Sequence, residues 1–180
     1  MEPLTVIGII ALLVLIVILG KYNGLVRTKK KVEQERATID VYLTQRFDLI
    51  PNLVEVTKGY AKHESETLIK VVNERNKVQN MSSLAKEEDK ISSSVKSLFA
   101  VAENYPDLKA SHNFLALQEE LLMIENELLA ARRTYNAAVT EYNTTIQSFP
   151  TNILAKMMKK MPKKLFVVND DVRNTINLKI

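Results

Sequence analysis

46-RFDLIPNLVEVTKGYAKHE-64 is the stretch on which the fold turns. It gathers an arginine, two acids bracketing a proline, an asparagine and a His-Glu pair, so it reads either as an active site or as a helix corner. Pro51 has no N–H to donate and biases Ile50 away from helix, which predicts a bend near Asp48–Ile50. Proline is tolerated in the first turn of a helix, and Asp48 suits the cap before it. Asp48, Pro51 and Asn52 are therefore expected to hold a helix junction. The apolar phase Ile39, Leu43, Phe47, Ile50, Val54, Thr57, Ala61 nevertheless runs through the proline, as a kinked continuous helix would require. A chain reversal is the favoured reading, because a compact core needs one. The kinked helix is the alternative.

The composition favours helix. Only four glycines and five prolines occur in 180 residues, so long stretches lack breakers. With no cysteine, disulfides, thiolate metal sites and cysteine nucleophiles are excluded. The net charge of +4 hides a division. Residues 1–31 hold five basic residues and one acid; residues 32–148 hold thirteen basic and eighteen acidic; residues 149–180 hold seven basic and two acidic. Basic charge flanks an acidic body, which fits a membrane surface better than nucleic acid.

From Pro3 to Gly20 the chain reads PLTVIGIIALLVLIVILG, eighteen residues without a charge. As a helix this spans about 27 Å, close to a hydrocarbon core. A cleavable signal would begin with a basic region and end at a small-x-small site, and neither is present. An uncleaved anchor running from about Leu4 to Leu19 is the expectation. Lys21, Arg27, Lys29, Lys30 and Lys31 follow it, which predicts an external N-terminus and a cytoplasmic body.

The strongest periodicity lies further on. Phe114, Leu117, Leu121, Ile124, Leu128, Ala131, Tyr135, Ala138, Tyr142, Thr145 and Phe149 form a heptad seam, broadened by Leu115, Leu122 and Leu129. The spacing predicts a helix over 111–148, capped by Ser111 or Asn113 and ended by Pro150. Leu25, Val32, Ile39, Leu43 and Phe47 mark a helix over 22–47, and Val54, Thr57, Ala61, Leu68 and Val71 one over 53–78. A shorter one covers 85–103, after the joint 80-NMSSL-84. The fold class is all-α: an N-terminal transmembrane helix (1–21), an antiparallel up-and-down four-helix bundle (22–150) and a basic tail (151–180).

Chemical motifs are weak. Neither His63 nor His112 has the Glu-x-x-His spacing of bundle metal sites, and the helix after His63 lacks a second zinc-binding histidine. No phosphate loop or nucleophile motif occurs, so no catalytic residue, metal, cofactor or small-molecule substrate is expected. Tyr135-Asn136 and Tyr142-Asn143 repeat at one heptad phase, either as the polar edge of a core or as a partner-binding or self-association face. Lys156, Lys159, Lys160, Lys163 and Lys164 alternate with Ile153, Leu154, Met157, Met158 and Met161. That pattern predicts a short basic amphipathic helix on the membrane surface, with a solvated tail as the alternative.

The blocks 22-YNGLV-26, 39-IDVYLTQRFDLIPNLVEVTKGYAKHE-64, 103-ENYPDLKASHNFLALQEEL-121, 125-EN-126, 131-ARRTYNAAVTEYNTTIQSFP-150 and 152-NILA-155 resemble the LemA family of bacterial membrane proteins. The resemblance spans nearly the whole chain after the anchor, departing at Phe47 and in the C-terminal tail. It implies a single-pass protein of the bacterial inner membrane with a cytoplasmic four-helix bundle and no established catalytic residues. Some relatives are linked to magnetosome formation or to neighbouring membrane-protease genes. The expected function is a non-enzymatic scaffold or adaptor that binds the bilayer and a protein partner or its own copies. A regulatory partner of a membrane protease or signalling protein is the alternative.

Overall fold

The computed structural model of the chain describes residues 3–61, 63–79 and 88–166. All regular structure among these residues is helical, in six helices: α1 (Pro3–Tyr60), α2 (Ser65–Gln79), α3 (Glu88–Glu103), α4 (Pro106–Lys109), α5 (His112–Gln147) and α6 (Thr151–Met157). The joint expected at 80-NMSSL-84 lies outside the described residues. α1 begins with an apolar segment of mean hydropathy 2.4, none of it buried, and is long and apolar enough to cross a membrane. Leu4 and Leu19 are both exposed on it, as side chains facing lipid would be.

The reversal expected at Asp48–Ile50 is not there. α1 continues through Pro51, and Asp48, Pro51 and Asn52 all lie within it, the first and last on its exposed side. A proline inside a helix removes one backbone hydrogen bond and crowds the preceding turn, costing about 3 kcal/mol. Phe47, Leu49, Ile50 and Leu53 around it are all buried, and burying a large apolar side chain is worth about 1.5–3 kcal/mol each. Tertiary burial therefore outweighs the local break. The corner comes later, at Ala61–Glu64, where the Glu64 N–H donates to the Ala61 carbonyl at 3.1 Å. The segment 53–78, expected as one helix, is thus divided between α1 and α2.

The chain divides into two compact units, residues 37–131 and residues 1–36 with 132–180. In the first, α1 supplies Phe47, Ile50 and Leu53; α2 supplies Leu68 and Val71; α3 supplies Val95, Leu98 and Ala102. Leu108 of α4 and Phe114, Leu121 and Ile124 of α5 complete that core. Phe99 meets Phe114 edge-on at 5.7 Å between ring centroids, and the Arg75 guanidinium lies 4.7 Å from the centroid of the Phe47 ring. Ser111 caps α5, its Oγ accepting from the Phe114 N–H at 3.2 Å. Leu115, Leu122 and Leu129 do not broaden the buried seam: all three are exposed.

In the second unit, Leu25 and Val32 of α1 are buried, as are Tyr135, Ala138, Val139, Tyr142 and Ile146 of α5 and Thr151 and Ala155 of α6. Lys31 pairs with Glu141 at 2.8 Å, and the Thr134 hydroxyl donates to Glu35 at 2.8 Å. The Glu141 carboxylate raises the Lys31 ammonium above its ordinary pKa, while Lys30 and Lys29 hold Glu33 below the usual carboxylate range. Phe149, the last residue of the expected seam, is 80% exposed because α5 ends before it, at Gln147.

The continuous helix makes a prediction about Pro51. Pro51→Ala restores a helical N–H without touching the buried side chains, and is expected to raise stability by about 1–3 kcal/mol in denaturant unfolding of the detergent-solubilised chain. At the start of a separate helix the same change would be neutral or destabilising.

Candidate functional site

The most organised polar geometry lies on α5. After α6 the chain turns at Lys159, which adopts a left-handed backbone (φ 51°), and runs without regular structure from Lys160 to Phe166. Pro162 favours such a path, since it cannot donate to a helix and pushes Met161 towards extended backbone. This strap lies on the face carrying the two Tyr-Asn pairs. The Lys163 N–H donates to Asn143 Oδ1 and Asn143 Nδ2 donates to the Lys163 carbonyl, both at 2.9 Å. Asn136 holds Phe166 in the same manner, at 2.8 and 2.9 Å.

The register follows from geometry. Seven residues of helix rise about 10.5 Å, and three extended residues advance about 10 Å. Two asparagines one heptad apart therefore meet every third residue of an extended chain. The strap's number rises as that of α5 falls, so the two run in opposite directions. Each asparagine supplies one donor and one acceptor to one residue, as a neighbouring strand would. Weaker contacts at 3.4 Å run from the Tyr142 hydroxyl to the Met161 carbonyl and from the Tyr135 hydroxyl to the Lys164 carbonyl. Burial raises the pKa of the Tyr142 phenol, keeping it a donor. The Phe166 ring stacks edge-on against Tyr135, with centroids 5.1 Å apart.

The expected interaction face of Tyr135, Asn136, Tyr142 and Asn143 is thus covered by the chain's own strap. The tail is also less helical than expected. Among the five expected membrane-surface lysines only Lys156 lies in α6; Lys159 occupies the turn, and Lys160, Lys163 and Lys164 belong to the strap. Between α1 and α6 an apolar groove of about 390 Å³ is lined by Leu13, Val17, Lys21, Ile153, Leu154 and Met157, among others. Phe149, Ile153 and Met157, spaced by one turn, are exposed nearby.

Within the stretch 46–64, Arg46 and Thr57 are buried, while Asp48, Asn52, Glu55 and Lys58 are exposed. Arg46 is buried at 5% exposure, its Nη2 2.7 Å from Glu125 and donating to Ser92 at 3.2 Å. Burial pulls its guanidinium below the ordinary pKa, and Glu125 opposes that shift. Tyr42, donating to Glu127 at 3.3 Å, has its phenol pKa raised by that carboxylate. His63 stands exposed in the corner. Glu125 and Ser92 escape sequence reasoning because their partner is distant in the chain. The strap's role escapes because backbone groups leave no residue pattern.

The two clamps give a residue-resolved prediction. In native-state hydrogen exchange, Asn143→Ala should release the Lys163 amide and Asn136→Ala the Phe166 amide, each losing about 1–2 kcal/mol of local protection, or roughly tenfold in rate. Equal rates in the variants and the parent chain would show that the asparagines do not hold the strap.

The model of the LemA family matches residues 35–179. Among curated proteins, Protein LemA of Metamycoplasma hominis is 30% identical over 109 residues, covering 58% of this chain and 50% of that protein. The chain therefore spans about half the length of that curated relative. With the family match extending from the middle of α1 through the strap, the chain belongs to the LemA family.

Proposed function

We propose that this LemA-family chain is a non-enzymatic helical scaffold anchored once in the inner membrane of a bacterium, with its N-terminus outside and its body in the cytoplasm. The observation that carries the reading is a ladder of leucines on α5: Leu115, Leu122 and Leu129 are 44%, 63% and 43% exposed at heptad spacing. A solvated helix face would carry polar residues at that phase. Apolar residues repeating every seven positions are what a partner helix packs against.

The remaining geometry supports the same reading. In residues 37–131, Arg75 of α2 meets Phe47 of α1, and Tyr42 and Arg46 of α1 pair with Glu127 and Glu125 of α5. These pairings run antiparallel between α1 and α5, which supports reading this unit as an antiparallel up-and-down four-helix bundle. Arg46, the polar side chain most suggestive of chemistry, is engaged by Glu125 and Ser92. The basic cluster after the apolar segment of α1 favours a cytoplasmic body. Phe149, Ile153 and Met157 offer apolar surface at the bilayer, with Lys156, Lys159 and Lys160 suited to anionic headgroups.

The ladder is tested by a photoactivatable amino acid at position 122 of the full chain in native membranes. A discrete protein adduct is expected, lost on Leu115→Lys with Leu129→Lys while the melting temperature stays unchanged. Adducts to lipid or solvent alone from positions 115, 122 and 129 would leave the scaffold without a binding surface.

A further inference from the structure

We propose that the groove between α1 and α6 is a site for one anionic phospholipid of the inner leaflet, its acyl chain against Leu13, Val17, Ile153 and Met157 and its phosphate at Lys21. The inference rests on the anchoring reading above and deepens it, from a surface that touches lipid to a site that selects one.

Three observations carry it. First, the groove has two walls. One is the charge-free segment of α1, none of which is buried, and the other is the Ile153, Leu154 and Met157 face of α6. A lone helix face in a bilayer touches a neighbouring acyl chain on one side only. Two walls touch it on two sides, and so gather more of the small dispersion contacts that retain it. The volume of about 390 Å³ falls within the range of small-ligand sites.

Second, the groove has the polarity of a lipid. Between Leu13 and Lys21 the helix rises about 12 Å, from an apolar end to the one charged side chain of the lining among the described residues. Lys21 is also where the charge-free segment stops. α1 and α5 run antiparallel in this unit, with Lys31 on Glu141 and Glu35 on Thr134. The step back from Lys31 to Lys21, taken forward from Glu141, reaches Thr151, where α6 starts. In the anchoring reading α6 therefore begins where hydrocarbon gives way to headgroups.

Third, the charge around the groove is of one sign. No Asp or Glu occurs in residues 3–32 or 149–166, while Lys156 and Lys159 are exposed on and just after α6. A headgroup carrying net negative charge gains from such a cluster, and a zwitterionic one gains little.

The test places the full chain in phosphatidylcholine vesicles. A trace of phosphatidylglycerol, or of phosphatidylcholine, carries a diazirine on one acyl chain. Adducts are mapped by mass spectrometry to Val17, Ile153 and Met157 in the groove, and to Leu12 and Ile16, exposed on α1 outside its lining. Phosphatidylglycerol is expected to label the groove about fivefold more than phosphatidylcholine, the contribution of one lysine near an anionic headgroup. Leu12 and Ile16 should show no such difference, and Lys21→Gln should remove it from the groove. A preference absent from the groove, equal at every position or unmoved by Lys21→Gln would overturn the proposal. Groove positions left unlabelled while Leu12 and Ile16 react would overturn it in favour of protein filling the groove. If Leu12 and Ile16 also stay unlabelled, the anchoring reading falls with it.

Discussion

One unbroken helical backbone, α1, is the constraint on which the other elements depend. A chain crossing hydrocarbon must satisfy its own N–H and C=O groups, and a helix does so without outside partners. The apolar beginning of α1 meets that requirement, and the same helix carries on to Tyr60. Leu25, Val32, Ile39, Leu43, Phe47, Ile50 and Leu53 then line its buried stripe. Each compact unit takes one stretch of α1 and one of α5, and the shorter helices complete what those two begin. Even Pro51 is absorbed, because the apolar side chains around it gain more from burial than the missing hydrogen bond loses.

The polar residues are connectors. A buried arginine is tolerable only when its charge is met, and Arg46 has Glu125 at 2.7 Å and Ser92 at 3.2 Å. Such a pair adds little net stability against a well-packed apolar alternative, but it disfavours any packing that leaves the guanidinium alone. Asn136 and Asn143 work differently. Their amides stand in for a strand, turning a helix face into a surface that accepts extended backbone. Thr57 shows the same economy on a small scale: buried, its hydroxyl donates to the Leu53 carbonyl at 2.7 Å, so no polar group is stranded.

Much of this was legible in the sequence, and the exceptions share a cause. The all-α class, the apolar N-terminal helix, the Ser111 cap and the buried stripe of α1 follow from local pattern. Pro51 misleads because its local rule is correct but is overridden by Phe47, Ile50 and Leu53, whose burial depends on α2, α3 and α5. The true corner at Ala61–Glu64 has no proline to announce it. Leu115, Leu122 and Leu129 look like core because periodicity identifies a face without counting the neighbours that cover it. The heptad repeat of Tyr135-Asn136 and Tyr142-Asn143 marks a special surface. What lies on it stays hidden, since the strap is recognised through main-chain atoms that every sequence shares.

The continuity of α1 is most directly measured by the distance between spin labels at Ala37 and Tyr60, both exposed on that helix. One continuous helix places their backbones about 35 Å apart. A distance near the roughly 10 Å between packed helices would mean that the chain reverses at Pro51, and would contradict the account.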